Sequence, residues 1–196
     1  MSKGRLEAFS DGVFAIIITI IILLFDVPEQ NDINALKELF PLFIVYLVSF
    51  IMIGTNWANH HHLMQVASHV NGKIIWANHL YLFTLSFYPV AAGWVGKSDF
   101  ATLPTIVYVI VNLIESLSYI LLQRMIVTSH ECVILKKVVN ESKKELLTIL
   151  LEIAALVCAF FTPVQWLAYV LLVVMAGLWV VPDIRMKKIY DESNQS

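Results

Sequence analysis

The chain reads as an all-α membrane protein with six transmembrane helices. Three observations carry this. Of 196 residues, 59% are hydrophobic and only 14% charged, against roughly 45–50% and about 25% in soluble domains. Apolar runs of the ~20 residues that cross a ~30 Å hydrocarbon core recur six times. The basic residues gather in alternate loops.

The first span is read near 5–25. Its apolar run ends in Phe25-Asp26-Val27-Pro28 without a small-residue cleavage pattern, so this helix is expected to remain in the mature protein. The second lies near 40–65, with Pro41 at its start. The third falls near 73–94 and the fourth near 103–126, opened by Pro104. The fifth covers 144–161. Thr162-Pro163 separates it from the sixth, 163–181, which stops before Pro182-Asp183. No soluble domain, low-complexity segment or long linker is expected, and the whole of 1–196 reads as one membrane domain.

Six spans place both termini on one side. That side receives Lys3, Arg5, Lys73, Arg124, Lys136, Lys137, Lys143, Lys144, Arg185, Lys187 and Lys188, and the other only Lys37 and Lys97. The positive-inside rule then makes both termini cytoplasmic in a multi-pass cell-membrane protein. The first external loop is acidic, with Asp26, Glu29, Asp32 and Glu38. Such a loop attracts cations at the mouth of an ion path, or is a solvated loop and nothing more. Cys132 and Cys158 form no paired motif, so neither a disulfide nor a metal site is expected.

The first helix carries two kinds of residue. At 100° per residue, Phe9, Gly12, Ile16, Thr19, Ile20 and Leu23 share one face. Ser10 and Asp11 point ~120° and ~140° away from it, on opposite sides. Polar groups in a span must find partners. Trp57, His60, His61, Asn78 and His79, near the cytoplasmic ends of the second and third spans, offer hydrogen-bond donors at that depth. Three consecutive histidines, His60 to His62, fan out by ~100° each and do not converge on a metal. Protonation of these histidines near neutral pH would tune the protein.

Arg5-x-x-x-Phe9-Ser10-Asp11, followed by GVFAIIIT, resembles the signature of the transmembrane protein 175 family. The Trp57-x-x-His60-His61 segment, Asn78 and Pro89 also resemble its pattern. The resemblance implies a potassium-permeable channel, and for a single six-span repeat a homotetramer whose first helices line a central pore. It implies a hydrophobic constriction at Ile16, further apolar layers at Ile20 and Leu23, and a selectivity-linked threonine at Thr19. Arg5, Phe9, Ser10 and Asp11 would form a structural and gating network with Trp57, His60, His61 and Asn78. The expected partners are membrane lipid, further copies of the chain and permeant monovalent cations. Neither nucleic acid nor any cofactor beyond permeant potassium ions is expected.

The physics is consistent with that reading. An isoleucine ring too narrow for hydrated ions gates by dewetting. No TVGYG-like filter and no Arg-rich sensor helix is present, so an ordinary potassium-channel filter is excluded. The principal alternative is a proton- or cation-coupled secondary transporter using the intramembrane Glu115, with Asn112 and Glu152 as companions. Against it stands the lack of a Gly/Pro-interrupted helix pair or an internal repeat. A third reading is a membrane sensor or scaffold acting through Ser129–Glu145, whose lysines suit anionic lipid. An enzyme is the least expected: no nucleophile–base pair, metal-ligand cluster or phosphate-binding loop appears.

Overall fold

The computed structural model describes residues 2–28, 32–129 and 143–180. Cys132, most of the Ser129–Glu145 loop and the basic tail with Arg185, Lys187 and Lys188 lie outside the described residues. Those described are helical: α1 (Lys3–Ile22), α2 (Ile33–Glu38), α3 (Phe40–Val66), α4 (Gly72–Leu85), α5 (Tyr88–Lys97), α6 (Thr102–Ser129), α7 (Lys143–Ala159) and α8 (Trp166–Val180), with a 3-10 turn at Thr162–Val164. By length and composition α3 and α6 are each apolar enough to cross a membrane.

Helix ends follow local chemistry. Asp32 caps α2, its Oδ1 accepting from the amides of Asn34 and Ala35 at 3.0 Å each. The Ala35 amide contributes most to holding this carboxyl below its ordinary range; desolvation opposes it, and Asn34 adds to the lowering. Asn71 caps α4 through the Ile74 amide at 3.0 Å. Pro41 and Pro163 sit in first turns, where a missing N–H costs nothing.

The third span differs from its sequence expectation. Instead of one helix over 73–94, α4 stops at Leu85 and α5 begins at Tyr88. Pro89 explains the break, because its ring cannot donate to the Leu85 carbonyl and crowds it. The chain tightens at the junction, with Ser86 N–H donating to Phe83 O at 3.2 Å and Phe87 N–H to Thr84 O at 3.2 Å. The other helices end within about three residues of the expected bounds, the uncertainty inherent in helix termini; α3, for example, ends at Val66.

Packing runs α1 against α3, α4 and α5; α3 against α5 and α8; α6 against α4, α5 and α7; and α7 against α8. α5 approaches α3 closely at Gly96, where a Cβ would lie 2.8 Å from Leu42 Cα. The inner core carries tyrosines with assigned partners. Tyr108 Oη lies 2.8 Å from Ser49 Oγ, and Tyr88 Oη donates to Asn112 Oδ1 at 2.6 Å. Such bonds average about 0.6 kcal/mol in membrane proteins, so tight packing carries most of the association. Outward, α6 exposes Ile110, Ile114, Leu117 and Leu121 at helical spacing, and α7 exposes Leu150, Ile153 and Val157. Water would drive such a surface to aggregate, whereas lipid tails solvate it.

Candidate functional site: the two faces of α1

α1 divides sharply by burial. Leu6, Ser10, Phe14, Ile17 and Ile21 are buried against the other helices. Their spacing of four, four, three and four residues is one helix face. Phe9, Gly12, Ile16, Thr19, Ile20 and Leu23 are all exposed on the opposite side. Ile16 is 59% exposed and Leu23 73%. A Cβ built at Gly12 would meet nothing within 4 Å. The Thr19 hydroxyl donates to Ala15 O at 2.8 Å, which leaves its lone pairs facing outward. The stripe is therefore apolar with one hydroxyl level, and no other described residue buries it.

Behind the stripe the residues expected to form one network form two. In the buried one, Asn78 Nδ2 donates to Ser10 Oγ at 3.0 Å, and the Ser10 hydroxyl donates to Leu6 O at 2.9 Å. Asn78 Oδ1 lies 2.7 Å from His60 Nε2. With the amide nitrogen committed to Ser10, the amide oxygen accepts, and His60 Nε2 carries the proton. The imidazole is sandwiched, its centroid 5.8 Å from Tyr81 at an interplanar angle of 10° and 5.6 Å from Phe14. Ser10, His60 and Asn78 are each at most 1% exposed. This chain links α1, α3 and α4 through paired Ser10 Oγ, both amide atoms of Asn78 and His60 Nε2, and pairing is the condition for a buried network to stabilise rather than cost.

The second network lies on the surface. Trp57 Nε1 donates to Asp11 Oδ1 at 2.9 Å. The indole stacks on His61 at 6.0 Å, and Gln65 Nε2 lies 2.9 Å from His61 Nε2. Asp11 is exposed and Trp57 43% exposed. Ser10 and Asp11, both expected to point away from the stripe and find partners, differ in burial. Ser10 sits at the centre of the buried face, and Asp11, ~100° farther round, reaches its rim.

Two expected members behave differently. Phe9 stacks on His79 at 5.5 Å, outside both hydrogen-bonded chains. Arg5 is exposed and joins neither chain among the described residues. Conversely, sequence reasoning passed over Phe14 and Tyr81, which hold the His60 ring. The available signal was spacing: Phe14 follows Ser10 by four residues and Tyr81 follows Asn78 by three, one turn along the same faces. Among the described residues no group of three or more His, Cys, Asp or Glu side chains is placed to hold a metal.

Comparison with known proteins gives this geometry a context. Residues 5–89, which contain both networks and the stripe, match the family model described as endosomal/lysosomal potassium channel TMEM175. A potassium channel of Chryseobacterium sp. is 40% identical over 194 residues, 98% of this chain and all of that protein. The human endosomal/lysosomal proton channel TMEM175 is 40% identical over 75 residues, which cover 32% of this chain and 15% of that protein. The crystal structure of a lysosomal potassium-selective TMEM175 homolog from Chamaesiphon minutus superposes with a TM-score of 0.79 at 26% identity, covering 91% of this chain and 96% of that one. These relatives are ion channels of membranes, not enzymes. The chain belongs to the TMEM175 channel family.

Proposed function

We propose that the chain is one subunit of a homotetrameric, potassium-preferring cation channel that crosses the cell membrane six times with both termini in the cytoplasm. α1 lines the central path. Ile16 forms the constriction, Ile20 and Leu23 form further apolar rings, and the Thr19 hydroxyls supply the polar level between them. The observation that carries this reading is the bare stripe on α1, with Ile16 59% and Leu23 73% exposed. A span of this kind faces lipid, a second copy or an ion path. Its single hydroxyl level and its place in the segment that matches the family favour the path.

Selectivity in this reading is modest. A ring of threonine hydroxyls replaces part of a hydration shell, but it is not a cage of backbone carbonyls. The Ser10–Asn78–His60 chain holds α1 in register against α3 and α4, and the Asp11–Trp57 bond braces its rim. A transporter with Glu115 as carrier is the weaker reading, because the matched relatives are channels.

Recording from protein reconstituted in lipid tests the proposal. The reversal potential is expected to follow the potassium gradient rather than an imposed proton gradient. Tracking of the proton gradient alone would instead favour the activity for which the vertebrate relatives are named. Ile16→Asn wets the constriction and is expected to raise conductance to several ions. Unchanged conductance and selectivity in that variant would remove Ile16 from the path.

A further inference from the structure

Away from α1, the chain buries two carboxyl groups that the pore does not use. Glu115 on α6 is 3% exposed and Glu152 on α7 is 0% exposed. The residue after Glu115, Ser116, donates to Glu152 Oε1 at 2.6 Å. Glu152 Oε2, also buried, has no partner among the described residues. Beside Glu115 lies a cavity of about 20 Å³ between α3, α6, α7 and α8.

Among the described residues the surroundings supply dipoles and no buried cation. α3 presents Asn56 and Asn59 to the cavity. The Tyr81 hydroxyl of α4, wholly buried, faces Glu115 as a polar neighbour, as does Asn56 of α3. Tyr88 of α5 also faces the pair, its hydroxyl already given to Asn112. On α6 itself the Tyr119 hydroxyl is committed to Asn59 O at 3.2 Å. α7 adds Thr148 and, at its cytoplasmic start, Glu145. α8 adds Trp179, whose N–H donates to Thr148 Oγ1 at 2.8 Å. Among the described residues positive charge stays at that rim: Arg124 acts on Glu145, and Lys144 Nζ lies 5.8 Å from the Trp179 ring. No salt bridge reaches Glu115 or Glu152 among the described residues.

An ionised carboxylate without a counter-charge in such a place costs far more than a neutral acid. Two neighbouring ones compound the cost. Either a cation or a proton must compensate. The cavity has room for about one water. A potassium ion would need several more oxygens around it than that space admits, whereas a proton needs no volume.

We propose that Glu115 and Glu152 form an intramembrane proton-binding site within each chain, at the seam of α6 and α7. The proton resides on the pair as a carboxylic acid. Glu152 Oε2, which no donor reaches among the described residues, is its natural seat, while Oε1 accepts from Ser116. The site lies apart from the α1 stripe, and it stands whether or not α1 lines a path.

Infrared spectroscopy of the lipid-reconstituted protein tests this without reference to conduction. At neutral pH the wild type is expected to show the carbonyl stretch of a protonated carboxylic acid, slow to shift in heavy water and lost on titration to alkaline pH. Glu115→Gln and Glu152→Gln mimic the neutral acid in shape, and the double variant is expected to lose the band. Absence of the band in wild type at neutral pH, or its survival in the double variant, would overturn the proposal. Should the glutamine variants fail to assemble, Ser116→Ala decides instead. It removes the hydrogen bond on Glu152 Oε1 and is expected to shift the stretch upward, and an unmoved band would refute the site.

Discussion

Asn78 is the residue on which the buried side of α1 depends. Among the described residues it alone joins Ser10 to His60, at 3.0 and 2.7 Å, and it is wholly buried. Asn78→Ala strands the His60 N–H and the Ser10 lone pairs away from water. Each buried polar group left unpaired costs about 1–3 kcal/mol. Trp57→Phe removes a donor from Asp11, but Asp11 is exposed and water can replace the bond. Thermal unfolding in detergent is therefore expected to show a clear loss of stability for Asn78→Ala and a smaller one for Trp57→Phe. The order follows from burial rather than from charge. The Ser10-Asp11 pair reads as a unit in the sequence, but burial divides it.

At the scale of elements, α3 and α5 meet closely at Gly96. Gly96 lets Leu42 of α3 press onto α5, with the backbone Cα 2.8 Å from where a Cβ would stand. A backbone atom cannot swing aside as a side-chain tip can. Gly96→Ala is expected to force the two helices apart, at the ~1–3 kcal/mol typical of overpacking, read as a lowered unfolding temperature. Gly177, with nothing within 4 Å, makes the control, since Gly177→Ala meets open space. The broken third span belongs to the same scale. Pro89 was visible in the sequence, yet hydropathy alone carried the run through it, because a window average does not register a missing N–H.

For the whole molecule, an apolar outer surface and an uncovered stripe point to different surroundings. Exposed Ile110, Ile114, Leu117 and Leu121 of α6 suit lipid. The α1 stripe, with its Thr19 level, suits a shared axis. Native mass spectrometry from a mild detergent is expected to give the mass of four copies of the 196-residue chain. A monomer would leave the stripe to lipid, and the α1 assignment would fall.

By itself the sequence determined the membrane class, the helical content and the angular split of α1. Each of these depends on composition or on a period within one segment, and such information is local. It also offered Trp57, His60, His61 and Asn78 as donors, because their depth along each span can be counted. Only the tertiary structure decided which donor met which acceptor. Ser10 found Asn78 and Asp11 found Trp57 because helix rotation and crossing set those distances, and both are fixed by packing among α1, α3 and α4. The same holds for Glu152. In the sequence it is one acid in an apolar run; beside Ser116 of α6, with one oxygen unpaired among the described residues, it is the proposed place for a proton.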